Sequence, residues 1–430
     1  MSAAGKSARV LFFYQHFWPD SPPYATLLRV IGRELVQRER AVGMVTAQPS
    51  YKQGDRAGQQ PKSEVLDGIV VDRLSLLPQS DSYRPLLLLS KVLFPIRAAL
   101  RIVLRHRGPD APAVVVAATI PPVLNGLCAS AAARIVGARF VYHLQDIYPE
   151  IGVVGGLWSS GSIKHRVLRG LDSFVCRRAD ACVVLSDDMA KAIELRGVSA
   201  DRICVVNNFQ LEAFQDDDSG VSRPQACVAS NTNSSDVIRL VFAGNLGRFQ
   251  GLEVLLAGFL QYVKVNAEIE LHFLGEGAAR EELVKAAEDC AHVHFHGHVP
   301  FEEAALFIKS CHAGIVATAP GVVRYAYPSK LLTYLGLGVP VLAVVEADSS
   351  LAHDVRSRGL GVICEQRSLT GVAKSLEELC TWLSSESLSN EDISARADQL
   401  VSSRTAIDAW ETLFNELAPQ AVVSTMEPQQ

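Results

Sequence analysis

The chain has 430 residues, 48% hydrophobic and 20% charged, which is too long for one core and right for two soluble domains of about 200 residues each. Its 41 basic and 46 acidic side chains leave a formal charge of −5, so bulk electrostatics do not suggest a nucleic-acid binder. Nine scattered cysteines without a C-x-x-C pair read as reduced thiols of a cytosolic protein.

The opening "MSAAGKSARVLFFYQHF" holds too short an apolar run for a signal peptide, and no stretch reaches the ~20 apolar residues of a spanning helix. A soluble, cytoplasmic protein is the expectation. "RVLFFYQHF" starts a pattern of short β-branched or aromatic runs separated by helix-sized intervals. A helical stretch near Thr26–Arg38 and "VGMVTA" come next. Tyr83–Gly108 follows, with six Lys/Arg and no acid. Arg97, Arg101 and Arg105 recur there at helical spacing among Ile96, Leu100, Val103 and Leu104. Such a segment suits an anionic membrane surface, and a core-facing helix with a basic solvent side is the competing reading. Strands "AVVVAAT", "RFVYHLQ", "ACVVLS" and "RICVVNN" complete the first half.

Gln215–Asp236 is polar and aperiodic, a linker. The alternation then restarts through "VIRLVFAGN", "ELHFLGEG", "HVHFHGHV", "AGIVATA" and "PVLAVV". It predicts an α/β protein of two Rossmann-like, doubly wound domains, 1–210 and 236–395, then a C-terminal helix over 396–418 and a disordered tail over 419–430. Such sheets bind ligands beyond the carboxyl ends of their strands, so two of them present those ends to a common cleft.

Function is therefore sought at the strand-to-helix junctions. "SPPYATLLR", Ser21–Arg29, borders the ligand end of the first domain. "YHLQDIYPEIGVVGG" carries Asp146 and Glu150 just past a buried strand, where carboxylates serve in catalysis or acceptor orientation, or simply in turn and cap chemistry. In the second domain "LVFAGNLGRFQGLEVLL" runs from a strand through Gly244, Asn245, Gly247, Arg248 and Gln250 into a helix. Glycines there admit an anion to backbone N–H groups, or merely make a tight turn. Gly275-Glu276-Gly277 nearly satisfies the dinucleotide fingerprint, but Arg280 stands where its third glycine belongs. Histidines 292, 294, 296 and 298 would line one strand face, ~6.5 Å apart per pair, which is poor geometry for one metal ion. Finally, Pro328, Ser329 and Lys330 open a helix. Proline costs nothing in a first turn, but a lysine opposes the helix dipole. A bound anion resolves that conflict; the alternative is a lysine in solvent.

Together, "YQHFWPD", "TAQPSY", "LQDIYPE", "VVNNF", "GNLGRFQGLEVLL", "FLGEG", "HFHGHVP" and "PSKLLTYLGLGVPVLA" resemble, in order and spacing, the retaining glycosyltransferases of family 4, with the GT-B fold, and more narrowly the bacterial fucosamine and colanic-acid-type transferases. The resemblance runs from Arg9 to about Leu417. It implies a nucleotide-sugar donor in the second domain, with UDP favoured, and a polyprenyl-linked or glycan acceptor in the first. It also implies retention, no metal or other cofactor, and a role in surface polysaccharide assembly at the inner face of a membrane reached through 84–107. By family position Lys330, Ser329, Pro328, Gly247 and Arg248 stabilise the departing diphosphate. Gly244, Asn245, Gln250, Glu276, Val299 and Thr333 line the donor, Asp146 is catalytic, and Ser21, Tyr24, Gln145 and Glu150 face the acceptor.

This chain departs from the family pattern in several places. Asn245 and Gln250 replace a common Arg and Lys, and the family's paired glutamates fall on Tyr325 and Thr333. Gln145 replaces a histidine, and Ser21-Pro22-Pro23-Tyr24 a glycine-rich loop. Competing readings are a GT-B nucleotide-sugar epimerase, a non-catalytic GT-B scaffold, and an NAD-linked enzyme, which Arg280 disfavours.

Overall fold

A computed structural model describes residues 9–20, 22–49, 59–76, 84–106, 111–211, 237–386 and 388–419, without the side chains of 84–88, 90 and 91. Ser21, the linker 215–236 and the tail from 420 lie outside the described residues. The chain divides into two compact units. One comprises Met1–Glu150, Trp158–Asn207 and Arg404–Gln430; the other comprises Ile151–Leu157 and Asn208–Ser403.

The first unit holds β1 (Val10–Phe13), β2 (Val42–Ala47), β3 (Ser63–Leu66), β4 (Ile69–Leu74), β5 (Val114–Ala118), β6 (Arg139–His143), β7 (Ala181–Val184) and β8 (Ile203–Val205). They form one sheet in the order β3-β4-β2-β1-β5-β6-β7-β8. All neighbours pair in parallel except the edge strand β3. Strands β1, β2, β5 and β7 are buried at every position. Parallel strands covered by helices on both faces need such continuous apolar runs, which is why the sequence reads VLFF and VVVAA rather than alternating. The strand order reverses between β1 and β5, so the ligand end of this unit lies at the loops after those strands.

Helix Arg84–Arg105 buries Phe94, Ala98 and Ile102. Arg101, counted above with the solvent-facing basic residues, instead grips Asp72 of β4 with two hydrogen bonds of 2.5 and 2.7 Å. Leu89, Val92, Ile96, Leu100 and Leu104, spaced three or four apart, remain 42–73% exposed. Arg97 and Arg105 stand exposed beside them.

The second unit holds β9 (Ile238–Ala243), β10 (Ile269–Leu274), β11 (Val293–Phe295), β12 (Ala313–Ala317), β13 (Val341–Val344) and β14 (Gly361–Ile363). The all-parallel order is β11-β10-β9-β12-β13-β14. Counted from its own first strand this is the 3-2-1-4-5-6 order of dinucleotide-binding sheets. Leu240, Phe242, Leu271, Phe273 and Ile315 face helices Leu252–Val263 and Leu369–Ser385. Val241, Leu274 and Val316 face the opposite layer, with Leu331, Tyr334 and Leu335.

Two expectations change. The helix expected over 396–418 is two helices, Asn390–Val401 and Ser403–Leu417, separated by Ser402 in an extended conformation. A Ser389/Asp392 capping box starts the first helix. The second carries its apolar stripe, Ala406, Ile407, Trp410, Leu413 and Phe414, into the first unit. The histidine run is not one long strand either. β11 spans only Val293–Phe295, and Gly297 turns the chain at φ +68°. His292, His296 and His298 thus fall outside it, and only His294 lies within.

Candidate functional site

In the second unit the order reverses between β9 and β12, and the segments following these strands meet at their carboxyl ends. The Ala319 N–H donates to Phe249 O at 2.7 Å. Gly251 starts helix Leu252–Val263 at φ +58°, and a Cβ there would stand 3.0 Å from Thr318 O.

Backbone stacks on backbone beneath this loop. A Cβ on Gly275, at φ +136°, would lie 2.1 Å from Gly244 O, and one on Gly277 would lie 2.4 Å from Leu246 O. The Leu246 N–H donates to Glu276 O and the Ala279 N–H to Leu246 O, each at 2.9 Å. Fully buried Leu246 anchors the loop in the core. Gly275 and Gly277 therefore serve close packing, and Arg280 has its own use: its guanidinium lies 3.4 Å from the Glu276 carboxylate. Asn245 and Arg248 are exposed, Gln250 half-buried and Gly247 buried. Val299 is half-buried against the core on the Leu274 face.

Lys330 is the first residue of helix Lys330–Gly336. Its side chain does not run into solvent. Cε and Nζ lie 3.0 and 3.1 Å from where a Gly244 Cβ would be, and Nζ stands 4.7 Å above the Phe242 ring. Gly244, at φ +119°, lets the ammonium lie this close to the backbone. No carboxylate among the described residues pairs with it, and burial lowers its pKa to about 8. Removal from water disfavours the charged form, yet at neutral pH this amine is still mostly protonated. The result is a half-buried cation without an anionic partner among the described residues. Tyr334, one turn on, aims it: its buried hydroxyl accepts the Ala243 N–H at 2.8 Å, tying the helix to the end of β9. Ser329, at the helix start, makes no side-chain cap bond and is exposed, whereas Pro328 is half-buried. Thr333 turns its hydroxyl back to Ser329 O at 3.4 Å.

Three residues at this end escaped sequence reasoning. Thr318, directly after β12, has a buried hydroxyl with no hydrogen-bond partner among the described residues. The Glu346 carboxylate, two residues past β13, accepts from the Gly321 N–H and from Arg367 at 3.0 Å, and its Oε2 is buried without a partner. Tyr334 reads as an ordinary core aromatic. The only signal for Thr318 and Glu346 was position just past a strand, which many residues share.

In the first unit the structure joins two predicted acceptor residues through a third. Gln145 Nε2 donates to His143 Nε2 at 2.8 Å, so the His143 proton sits on Nδ1 and goes to the Tyr24 hydroxyl, also at 2.8 Å. His143 is buried against Trp410, and burial drops its pKa to about 3. It stays neutral, leaving the Tyr24 hydroxyl hydrogen free to donate onward. Asp146 makes no hydrogen bond or ion pair with the described residues, and burial raises its pKa to about 6. Glu150 is committed elsewhere: it pairs with Arg169 at 3.1 Å and with Arg196, which also holds buried Asp172 and donates to Tyr148 O at 2.7 Å.

Residues 24–208 match the model of a glycosyl transferase 4-like domain, and residues 238–381 that of the glycosyl transferases group 1. The chain carries the two domains of a glycosyltransferase. It is similar to the probable glycosyltransferase WbjE of Pseudomonas aeruginosa, 28% identical over 249 residues, or 57% of this chain and 60% of that protein. The match thus spans less than two thirds of that relative's length. Among solved structures, Anabaena HepE in complex with UDP superposes with a TM-score of 0.65 at 14% identity, covering 95% of this chain and 100% of that one. Sucrose-phosphate synthase from Thermosynechococcus elongatus gives 0.70 at 15%, covering 96% and 99%. The lipopolysaccharide outer core galactosyltransferase WaaB gives 0.61 at 14%, covering 95% and 99%. At these identities the likeness establishes the fold, which is the GT-B architecture.

Proposed function

We propose that this glycosyltransferase moves a sugar, with retention, from a UDP-sugar to a lipid-linked or glycan acceptor in surface polysaccharide assembly. The observation that carries the reading is Lys330: a half-buried ammonium without an ion-pair partner among the described residues, packed against Gly244 at the strand-order reversal of a nucleotide-type sheet. In the reaction the bond from the anomeric carbon to the β-phosphate oxygen breaks, and its electron pair leaves with the nucleoside diphosphate. The acceptor hydroxyl bonds to that carbon and gives up its proton. A fixed cation aimed at the departing phosphate lowers the barrier because the negative charge grows there. Arg248 and the Ser329 hydroxyl, both exposed at the same end, add donors. Asp146 takes the acceptor's proton, and Tyr24 and Gln145 orient the acceptor through His143.

The UDP preference draws on HepE, which has been solved with UDP, with UDP and glucose and with UDP-glucose. The surface-polysaccharide setting draws on WaaB. A lipid-linked acceptor fits the apolar stripe Leu89, Val92, Ile96, Leu100 and Leu104 with Arg97 and Arg105, which suits peripheral contact with an anionic membrane. No described helix is long and apolar enough to cross one.

Calorimetric titration with UDP, GDP and ADP, chelator present, tests the donor site. UDP is expected to bind, and Lys330→Ala to weaken it at least tenfold. Absence of binding, or equal binding by the variant, removes Lys330 from the donor site.

A further inference from the structure

A second cluster of polar side chains lies on the same sheet, remote in sequence from Lys330 and unused by the transfer reaction. Strands β10 and β11 pair in parallel with His272 opposite His294. Glu270 and His272, two residues apart on β10, project from one face with His294 beside them. The imidazoles stack at 4.6 Å with 20° between planes. Glu270 Oε2 lies 3.3 Å from His272 Nε2, and Oε1 lies 3.8 Å from His294 Nε2.

The contacts are close, yet none is a hydrogen bond. His272 Nε2 and His294 Nε2 are both buried without a partner, and His272 as a whole is only 7% exposed. Its other nitrogen is engaged: Nδ1 lies 3.0 Å from His296 Nε2. With the His272 proton on Nδ1 and given to His296, its Nε2 presents a lone pair to a carboxylate oxygen. Two acceptors then face each other across a buried nitrogen, which is costly unless a cation stands between them. Arg239, opposite Glu270 on β9, makes no ion pair with it.

We propose that Glu270, His272 and His294 bind a divalent transition metal of the zinc class, with water as the fourth ligand. Two imidazoles and a carboxylate are a zinc donor set, and ligands ~2.0–2.2 Å from a tetrahedral ion stand ~3.3 Å from one another. The three donor atoms lie within 4.8 Å of one another, and the partly exposed His294 ring must turn out of its stack on His272, with Glu270 following, to close on an ion. His296 supplies the outer hydrogen bond that fixes the ligand tautomer of His272. Access runs past Glu270 and His294, whose side chains are 19% and 37% exposed. The ion would clasp edge strand β11 to β10, a structural role independent of the transferase reading. Histidines along one strand are too far apart for a single ion, whereas these ligands come from two paired strands.

The test uses chelator-stripped full-length protein titrated with Zn²⁺ alone by calorimetry and with Co²⁺ by visible absorption. Wild type is expected to bind one equivalent, to show the spectrum of nitrogen and oxygen ligation, and to gain thermal stability on zinc addition. His294→Ala and the isosteric Glu270→Gln should each weaken binding about 100-fold, whereas His298→Ala, at an exposed position, should not. No uptake by wild type, equal uptake by the two ligand variants, or a thiolate-type cobalt spectrum that survives them overturns the proposal.

Discussion

Lys330 and Asp146 are residues whose ionisation the protein has shifted by withholding water. Burial lowers the Lys330 pKa to about 8 from an ordinary 10.5. Between those values the unfolded chain holds the extra proton, so this group makes stability rise with pH from about 8 to about 10.5 and penalises the ligand-free fold below that window. Lys330→Met is therefore expected to stabilise the ligand-free protein at pH 7 by roughly 1–3 kcal/mol while removing UDP binding, measured by thermal melts with and without nucleotide. UDP affinity in wild type should fall as pH rises above 8, as the ammonium loses its proton. Asp146 moves the other way, up to about 6 from 3.8. If it takes the acceptor's proton it must be ionised, so kcat/KM should drop tenfold per unit below about pH 6. Asp146→Asn should cost about 10²–10⁴-fold in kcat with UDP affinity unchanged. A pH profile flat from 5 to 7 would remove it from that role.

At the scale of elements, the loop after β9 depends on two chain segments lying closer than side chains permit. Gly275→Ala places a Cβ 2.1 Å from Gly244 O at a φ of +136°. It should destabilise the second unit by about 2–4 kcal/mol and weaken UDP binding, read by denaturant unfolding and calorimetry. Helix Arg84–Arg105 carries the membrane prediction. Its core contact is made by Phe94, Ala98 and Ile102, so changing the opposite stripe leaves packing intact. Leu100→Ser with Leu104→Ser should reduce partition onto anionic vesicles at least tenfold, since each leucine returned to water forfeits about 1.5–3 kcal/mol. Equal sedimentation of variant and wild type with the vesicles would show that this face does not dock there.

Across the whole molecule, the last helix completes the first unit. Trp410 is 1% exposed and packs against His143, while Arg38 pairs with Asp408 at 2.6 Å and Arg40 with Asn415 at 2.5 Å. Trp410→Ala should destabilise the first unit by about 3–5 kcal/mol and disturb the Tyr24–His143–Gln145 chain, leaving UDP binding by the second unit intact. Two unfolding transitions, with only one displaced, would be the signature.

The alternation of β-branched runs with amphipathic intervals was sufficient for two doubly wound α/β units, because sheet and helix periodicities are local properties of the chain. The junctions at Gly244 and Lys330 were legible for the same reason: a run of glycines and a lysine at a helix start each conflict with a purely structural account within a few residues. Packing decided what those residues touch. That Lys330 lies against Gly244, that Glu150 is consumed by Arg169 and Arg196, and that His143 links Tyr24 to Gln145 all join positions far apart in sequence. So does the pairing that sets His272 beside His294. Strand register and the return of the last helix exist only once sheets and cores have formed, and no periodicity within one segment encodes them.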